Sequence, residues 1–153
     1  MKLRRGTRLG LYAALELARA GPGSPLTVAS VAEALEVPAP VLSKSFQRLV
    51  RAGIAVGARG SGGGYRLAAP AGRVTLLAIV EAFEPVGRPG ICLLADGGGT
   101  PCLDPSECVL RRAFDEIDEG NRATLASITL ETLAGRDRGV RMGTRRGEGQ
   151  RDA

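Results

Sequence analysis

The chain has 153 residues, a formal charge of +5, three cysteines, and neither histidine nor tryptophan. That length fits one folded domain with appendages and is enough to bury a core. Without histidine, and with no Ser or Cys placed beside a candidate base, there is no nucleophile–base pair, which argues against an enzyme. Three Phe and two Tyr are too few to stack single-stranded bases.

Charge is unevenly spread. Lys and Arg outnumber Asp and Glu ten to three over residues 1–70, acids lead ten to five over 71–135, and 136–153 are basic again, six to three. A basic front half suits a polyanion, because each neutralised phosphate releases condensed counterions. The plainer alternative is a basic surface that only aids solubility. Met1–Gly6 is basic, but no uninterrupted apolar run follows it and no stretch reaches transmembrane length. A cytoplasmic protein without membrane contact is therefore expected.

In chain order, a first helix is predicted from about Thr7 to Ala20, with Leu9, Tyr12, Ala13, Leu15 and Leu17 inward, ending at Gly21-Pro22-Gly23-Ser24-Pro25. Thr27 is placed to cap a second helix that buries Val28, Val31, Ala32 and Leu35. After the short turn Glu36-Val37-Pro38 a third helix begins. Pro40 is tolerated in its first turn, where the amides lack intrahelical partners. Leu42, Phe46, Leu49 and Val50 recur on one face, and Ser43, Lys44, Gln47, Arg48 and Arg51 lie opposite. Gly53 stops the helix. Ile54–Ala58 and Tyr65–Ala68 read as two strands around the tip Arg59-Gly60-Ser61-Gly62-Gly63-Gly64. Two helices joined by a tight turn, followed by a cationic hairpin, form a winged helix-turn-helix.

Beyond the break at Pro70-Ala71-Gly72, Thr75 caps a helix to Phe83 with Leu76, Ile79 and Val80 inward. Pro85–Pro105 is a Gly- and Pro-rich loop, too long to be a mere connection. It ends at Asp104-Pro105-Ser106-Glu107, which has the form of a capping box and would place Cys108 in the first turn of a long helix. On that helix Leu110, Phe114, Ile117, Asn121, Thr124 and Ile128 alternate by threes and fours, the seam a partner helix would fill. The competing possibility is that the stripe packs on its own domain. From Gly135 onward the chain has almost nothing to bury and reads as a disordered basic tail.

The fold class expected is mainly α with a small β-hairpin. It divides into a winged helix-turn-helix at 1–84, a cysteine-containing loop at 85–107, a dimerisation helix region at 108–134, and the tail at 135–153.

Cys92, Cys102 and Cys108 are spaced C-x9-C-x5-C. A helix start near Cys102 and Cys108 favours an anionic ligand set. Three thiolates beside a loop can bind an iron–sulfur cluster, bind zinc, or form a two-thiol switch with one left over, and inert thiols are equally compatible with the spacing.

The wing sequence RGSGGGYRL, the cysteine loop after the next helix, and Ser127-Ile128-Thr129-Leu130 together resemble the bacterial Rrf-two family of transcriptional regulators. The resemblance spans roughly residues 1–134. It implies a dimeric winged-helix repressor whose Cys92, Cys102 and Cys108 ligate a [2Fe–2S] or [4Fe–4S] cluster, with DNA binding altered by cluster loss, oxidation or nitrosylation. It also assigns Arg59 to the minor groove and Ser43 and Lys44 to positions near base edges.

The chain departs from the family pattern in three places. Arg111 stands where one branch has histidine, Arg8 stands where another has aspartate, and the first cysteine gap is longer than usual. The fourth ligand is thus left to a carboxylate, water or a small molecule, with Asp96, Asp104 and Glu107 near in sequence. The alternatives are a thiol- or zinc-based regulator, or a winged helix that binds protein.

The candidate DNA-binding set is Pro40, Ser43, Lys44, Gln47, Arg48, Arg51, Arg59, Gly60 and Tyr65. Lys44, Arg48 and Arg51 would hold phosphates, while Ser43 and Gln47 would read base edges, Gln preferring adenine. Arg59 would enter a narrow A·T-rich minor groove. The glycine-rich stretch Gly60 to Gly64 would let the hairpin backbone approach the sugar-phosphate wall. The expected partners are a second copy of the chain and a palindromic duplex operator.

Overall fold

The structure, a computed structural model, describes residues 3–60, 63–84 and 107–136. The elements are α1 (Arg5–Ala20), α2 (Val28–Ala34), α3 (Ala39–Arg51), β1 (Ala55–Ala58), β2 (Gly64–Leu67), a 3-10 turn (Ala71–Arg73), α4 (Leu76–Phe83), α5 (Val109–Ser127) and α6 (Leu130–Arg136). It is the mainly helical, hairpin-bearing architecture that the periodicity predicts.

Local chemistry sets the boundaries. The Thr27 hydroxyl accepts the Ser30 amide and the Thr75 hydroxyl accepts the Ala78 amide, so both threonines cap their helices, each worth about 1 kcal/mol. At the end of α3, Gly53 is left-handed at φ 69°. Its amide bonds Val50 O at 3.0 Å and the Ile54 amide bonds Leu49 O at 2.9 Å, closing the helix in a Schellman motif. The turn between α2 and α3 repeats that device with a residue less suited to it. Glu36 takes φ 53°, while the Glu36 and Val37 amides bond Glu33 O and Ala32 O. A side chain there carries a left-handed penalty that glycine would avoid.

The core lies between α1, α3 and α4. Ala13, Leu17, Leu42, Phe46, Leu49 and Ile79 are all buried. The buried stripe of α1 is Thr7, Gly10, Ala13, Ala14 and Leu17, small enough to let α4 approach closely. A Cβ on Gly10 would overlap the Phe83 ring. Two positions expected inward point out instead, Tyr12 at 46% and Val50 at 39% exposure. The apolar faces of α1 and α3 are narrower than hydrophobicity alone implies, because small residues supply much of the contact.

The hairpin pairs Ala55 with Leu67 through Ala58 with Gly64 in antiparallel register. It has a further attachment. The Leu26 amide bonds Tyr65 O at 2.9 Å and the Tyr65 amide bonds Leu26 O at 2.7 Å, adding a single antiparallel rung on the outer side of β2 from the α1–α2 connection.

The far end of the chain differs from expectation. Helix α5 starts at Val109 with Cys108 at its N-cap and no side-chain cap. Glu107, which the capping-box pattern puts at the third helical position, and Cys108, expected in the first turn, both precede α5, while Asp104, Pro105 and Ser106 lie outside the described residues. After Ser127 the chain turns back. The Leu76 amide bonds Ile128 O and the Leu130 amide bonds Val74 O, both at 2.9 Å, and Leu130 is fully buried in the winged core. Helix α6 packs there beside α1 and the 3-10 turn, and Gly135 and Arg136 belong to it. The remainder of the basic tail lies outside the described residues. An ion pair from Arg122 to Glu81 at 2.6 Å joins α5 to α4. No helix among the described residues is long and apolar enough to cross a membrane.

Candidate nucleic-acid interface

Phe46 and Leu49 pin one side of α3 into the core, which turns the opposite side outward. Pro40, Lys44, Gln47 and Arg51 are all exposed. At spacings of four, three and four they form one face. Ser43 is half-buried at its edge. The helix runs through Gly53 directly into β1, and Arg59 and Gly60 are both exposed at the tip of the hairpin that follows. Gly60 has φ 121°, a conformation that favours glycine, and the Gly63 amide closes the tip on Gly60 O at 2.9 Å. Ser61 and Gly62 lie outside the described residues.

Three candidate positions have structural duties. The Arg48 guanidinium donates to Phe83 O at 3.2 Å and sits 5.6 Å from the centre of the Phe83 ring, a cation–π arrangement. It therefore leans toward α4, beside the outward face. The Tyr65 ring packs on Phe46, with centroids 4.8 Å apart, and is half-buried against the core. A Cβ on Gly64 would lie 2.5 Å from Leu26 O, so that glycine is required by the rung from Leu26, independently of any ligand.

A second cationic feature borders α3. Arg4, Arg5, Lys44 and Arg48 line a cavity of about 340 Å³ between the start of α1 and α3. Glu84, bound to two of the lining residues, accepts the Thr7 hydroxyl and, at 3.0 Å, the Arg4 amide, and pairs with the Arg4 guanidinium at 3.3 Å. The Thr7 hydrogen bond, then the Arg4 amide, hold the Glu84 carboxyl below its usual range against a smaller opposing effect of burial, with help from the Arg4 and Arg48 charges. Sequence periodicity misses this groove. The basic run at residues 2–5 is its only trace, and nothing local reveals which helix it will face.

Of the cysteines, Cys108 is half-buried and unpaired at the N-cap of α5. Cys92 and Cys102 lie outside the described residues, as does Asp96. Among the described residues no group of three His, Cys, Asp or Glu is placed to hold a metal. Arg111, where one family branch has histidine, pairs with Asp115 along α5 at 3.5 Å.

Residues 3–136 match the family model Rrf2, described as an iron-dependent transcriptional regulator. The chain belongs to the Rrf2 family. Among its relatives, the HTH-type transcriptional regulator BadM of Rhodopseudomonas palustris is 36% identical over 87% of this chain and 81% of its own length. The HTH-type transcriptional repressor NsrR of Streptomyces coelicolor is 32% identical over 87% of this chain and 88% of its own. Among solved structures, CymR, the global cysteine regulator of B. subtilis, superposes with a TM-score of 0.72 at 26% identity, covering 89% of this chain and 98% of that one. This Rrf2 chain is thus a winged-helix transcriptional regulator by family.

Proposed function

We propose that this Rrf2 protein is a homodimeric repressor that reads a two-fold-related operator in duplex DNA and adjusts its grip through an iron–sulfur cluster on Cys92, Cys102 and Cys108. The observation that carries the DNA assignment is that Lys44, Gln47 and Arg51 share one exposed face of α3 and Arg59 is exposed at the tip of the hairpin that follows it. In this reading Lys44 and Arg51 hold phosphates, Ser43 and Gln47 read base edges, and Arg59 enters an A·T-rich minor groove. Arg48, tethered to Phe83, adds positive charge at the edge. The dimer assignment rests on α5, where Val109, Leu110, Phe114 and Ile117 are 79, 64, 53 and 57% exposed. Apolar side chains at that spacing form a seam that a second α5 would cover.

For the cluster, the donor chemistry fits. Cys108 is not engaged in capping, and three thiolates are a soft set suited to iron–sulfur ligation. With no histidine in the chain, any further ligand is an oxygen donor or an exogenous molecule. When bound, a cluster supplies a group whose stability depends on oxidant and nitric oxide. The chain's own part is to place Cys108 at the head of the helix that carries the dimer seam. The description of the family as an iron-dependent transcriptional regulator supports this assignment.

A second reading, thiol switching without a metal, is favoured by the likeness to CymR. Anaerobic purification with an absorption spectrum and iron and sulfide counts tests the choice. Visible charge-transfer bands that Cys108→Ser abolishes support the cluster. A colourless, iron-free protein after anaerobic reconstitution overturns it and leaves the thiol switch.

A further inference from the structure

We propose that the groove between the start of α1 and α3 seats a backbone phosphate of the bound duplex, held chiefly by Arg5 and Lys44. This rests on the DNA-binding reading and adds a contact outside the recognition face. Four cations line the groove: Arg4, Arg5, Lys44 and Arg48. Two have other duties, Arg4 with Glu84 and Arg48 with Phe83. Arg5 and Lys44 are exposed and make no ion pair or hydrogen bond among the described residues.

The surroundings leave little to neutralise them. The first turn of α1 contains no acidic side chain. The nearby Glu84 carboxylate is already satisfied by the Thr7 hydroxyl and by Arg4. Two cations on facing helices around an open groove thus form a positive surface with no counterion paired to either among the described residues. The ligand is assigned as DNA because Lys44 belongs to both surfaces: it lines the groove and sits on the exposed face with Gln47 and Arg51. A duplex seated on that face brings its sugar-phosphate wall alongside, and phosphates are the abundant anion there. A contact of this kind positions the protein and carries no base information.

The test is binding of the full-length protein to a short random-sequence duplex, followed by fluorescence anisotropy across a KCl series. No operator is needed. One phosphate contact contributes about 0.9 to the slope of log K against log salt. Arg5→Ala should reduce the slope by about that amount, Arg5→Lys should keep it, and Arg112→Ala, an exposed α5 cation outside the groove, should leave it unchanged. Unaltered circular dichroism melts confirm that the variants fold. If wild type shows no salt-dependent binding, the DNA reading itself fails. If wild type binds steeply and Arg5→Ala keeps the full slope, or Arg112→Ala lowers it equally, the phosphate seat is refuted while DNA binding stands.

Discussion

Replacing Phe114 by alanine separates a dimer seam from a surface that merely happens to be apolar. Burying a whole Phe side chain stabilises by about 1.5–3 kcal/mol. Phe114 is still 53% exposed in the single chain, so the portion left for a partner is worth about 1–1.5 kcal/mol. Two-fold symmetry counts it twice. The dimer should lose about 2–3 kcal/mol, and its dissociation constant should rise about 30- to 150-fold. Sedimentation velocity over a dilution series measures this. Leu130→Ala is the contrast, because Leu130 is fully buried in the winged core. It should lower unfolding stability by about 2–5 kcal/mol, by an amount that does not depend on protein concentration. A wild-type chain that stays monomeric at high concentration, or a Phe114→Ala variant with the wild-type dissociation constant, would refute the seam.

Arg59→Ala should weaken operator binding and blunt a preference for flanking A·T pairs in a selection from random duplexes; unchanged preference would argue against the wing assignment. Gly10→Ala should cost about 1–3 kcal/mol through overlap with Phe83. Because Phe83 also holds Arg48, DNA affinity should fall beyond what the stability loss explains, and a thermal melt beside a binding curve checks both. Glu84 has a carboxyl held below its usual value of 4.5. Its stabilisation is complete above that pH and disappears as pH falls through the lowered folded value. The melting-temperature gap between wild type and Glu84→Gln should therefore be constant near neutrality and close on acidification below about 4.5. A gap that persists to the acid limit would show that the carboxylate charge is irrelevant.

How far the sequence alone reached depends on whether the signal was local. Thr27, Thr75 and Gly53 act within one helical turn, and their roles follow from residue type. The i, i+4, i+7 pattern of Leu42, Phe46 and Leu49 likewise orients α3 without knowledge of its neighbours. Arg48 differs, since its polar-face position is correct but its attachment to Phe83 depends on where α4 falls. Helix α6 is missed for a related reason. Its seven residues offer Leu130 and Leu133 as branched apolar groups before a Gly-Arg run, too little periodicity to register. Its anchor, Leu130 bonding to Val74 O, is a pairing across more than fifty positions. The start of α5 shows the opposite failure. A capping-box pattern at 104–107 is legible, yet the helix begins at Val109 with Cys108 before it.

The rung between Leu26 and Tyr65 makes the hairpin a bracket bolted at two points, because its base is tied to α3 through Gly53 and β2 is tied, one pair short of the last rung, to the α1–α2 connection. On the proposed reading, Arg59 then meets the minor groove at a set offset from Gln47 in the major groove, so the spacing between two contacted steps becomes a selection rule in its own right. A site with the correct bases one step out of phase would be rejected much as a wrong base is.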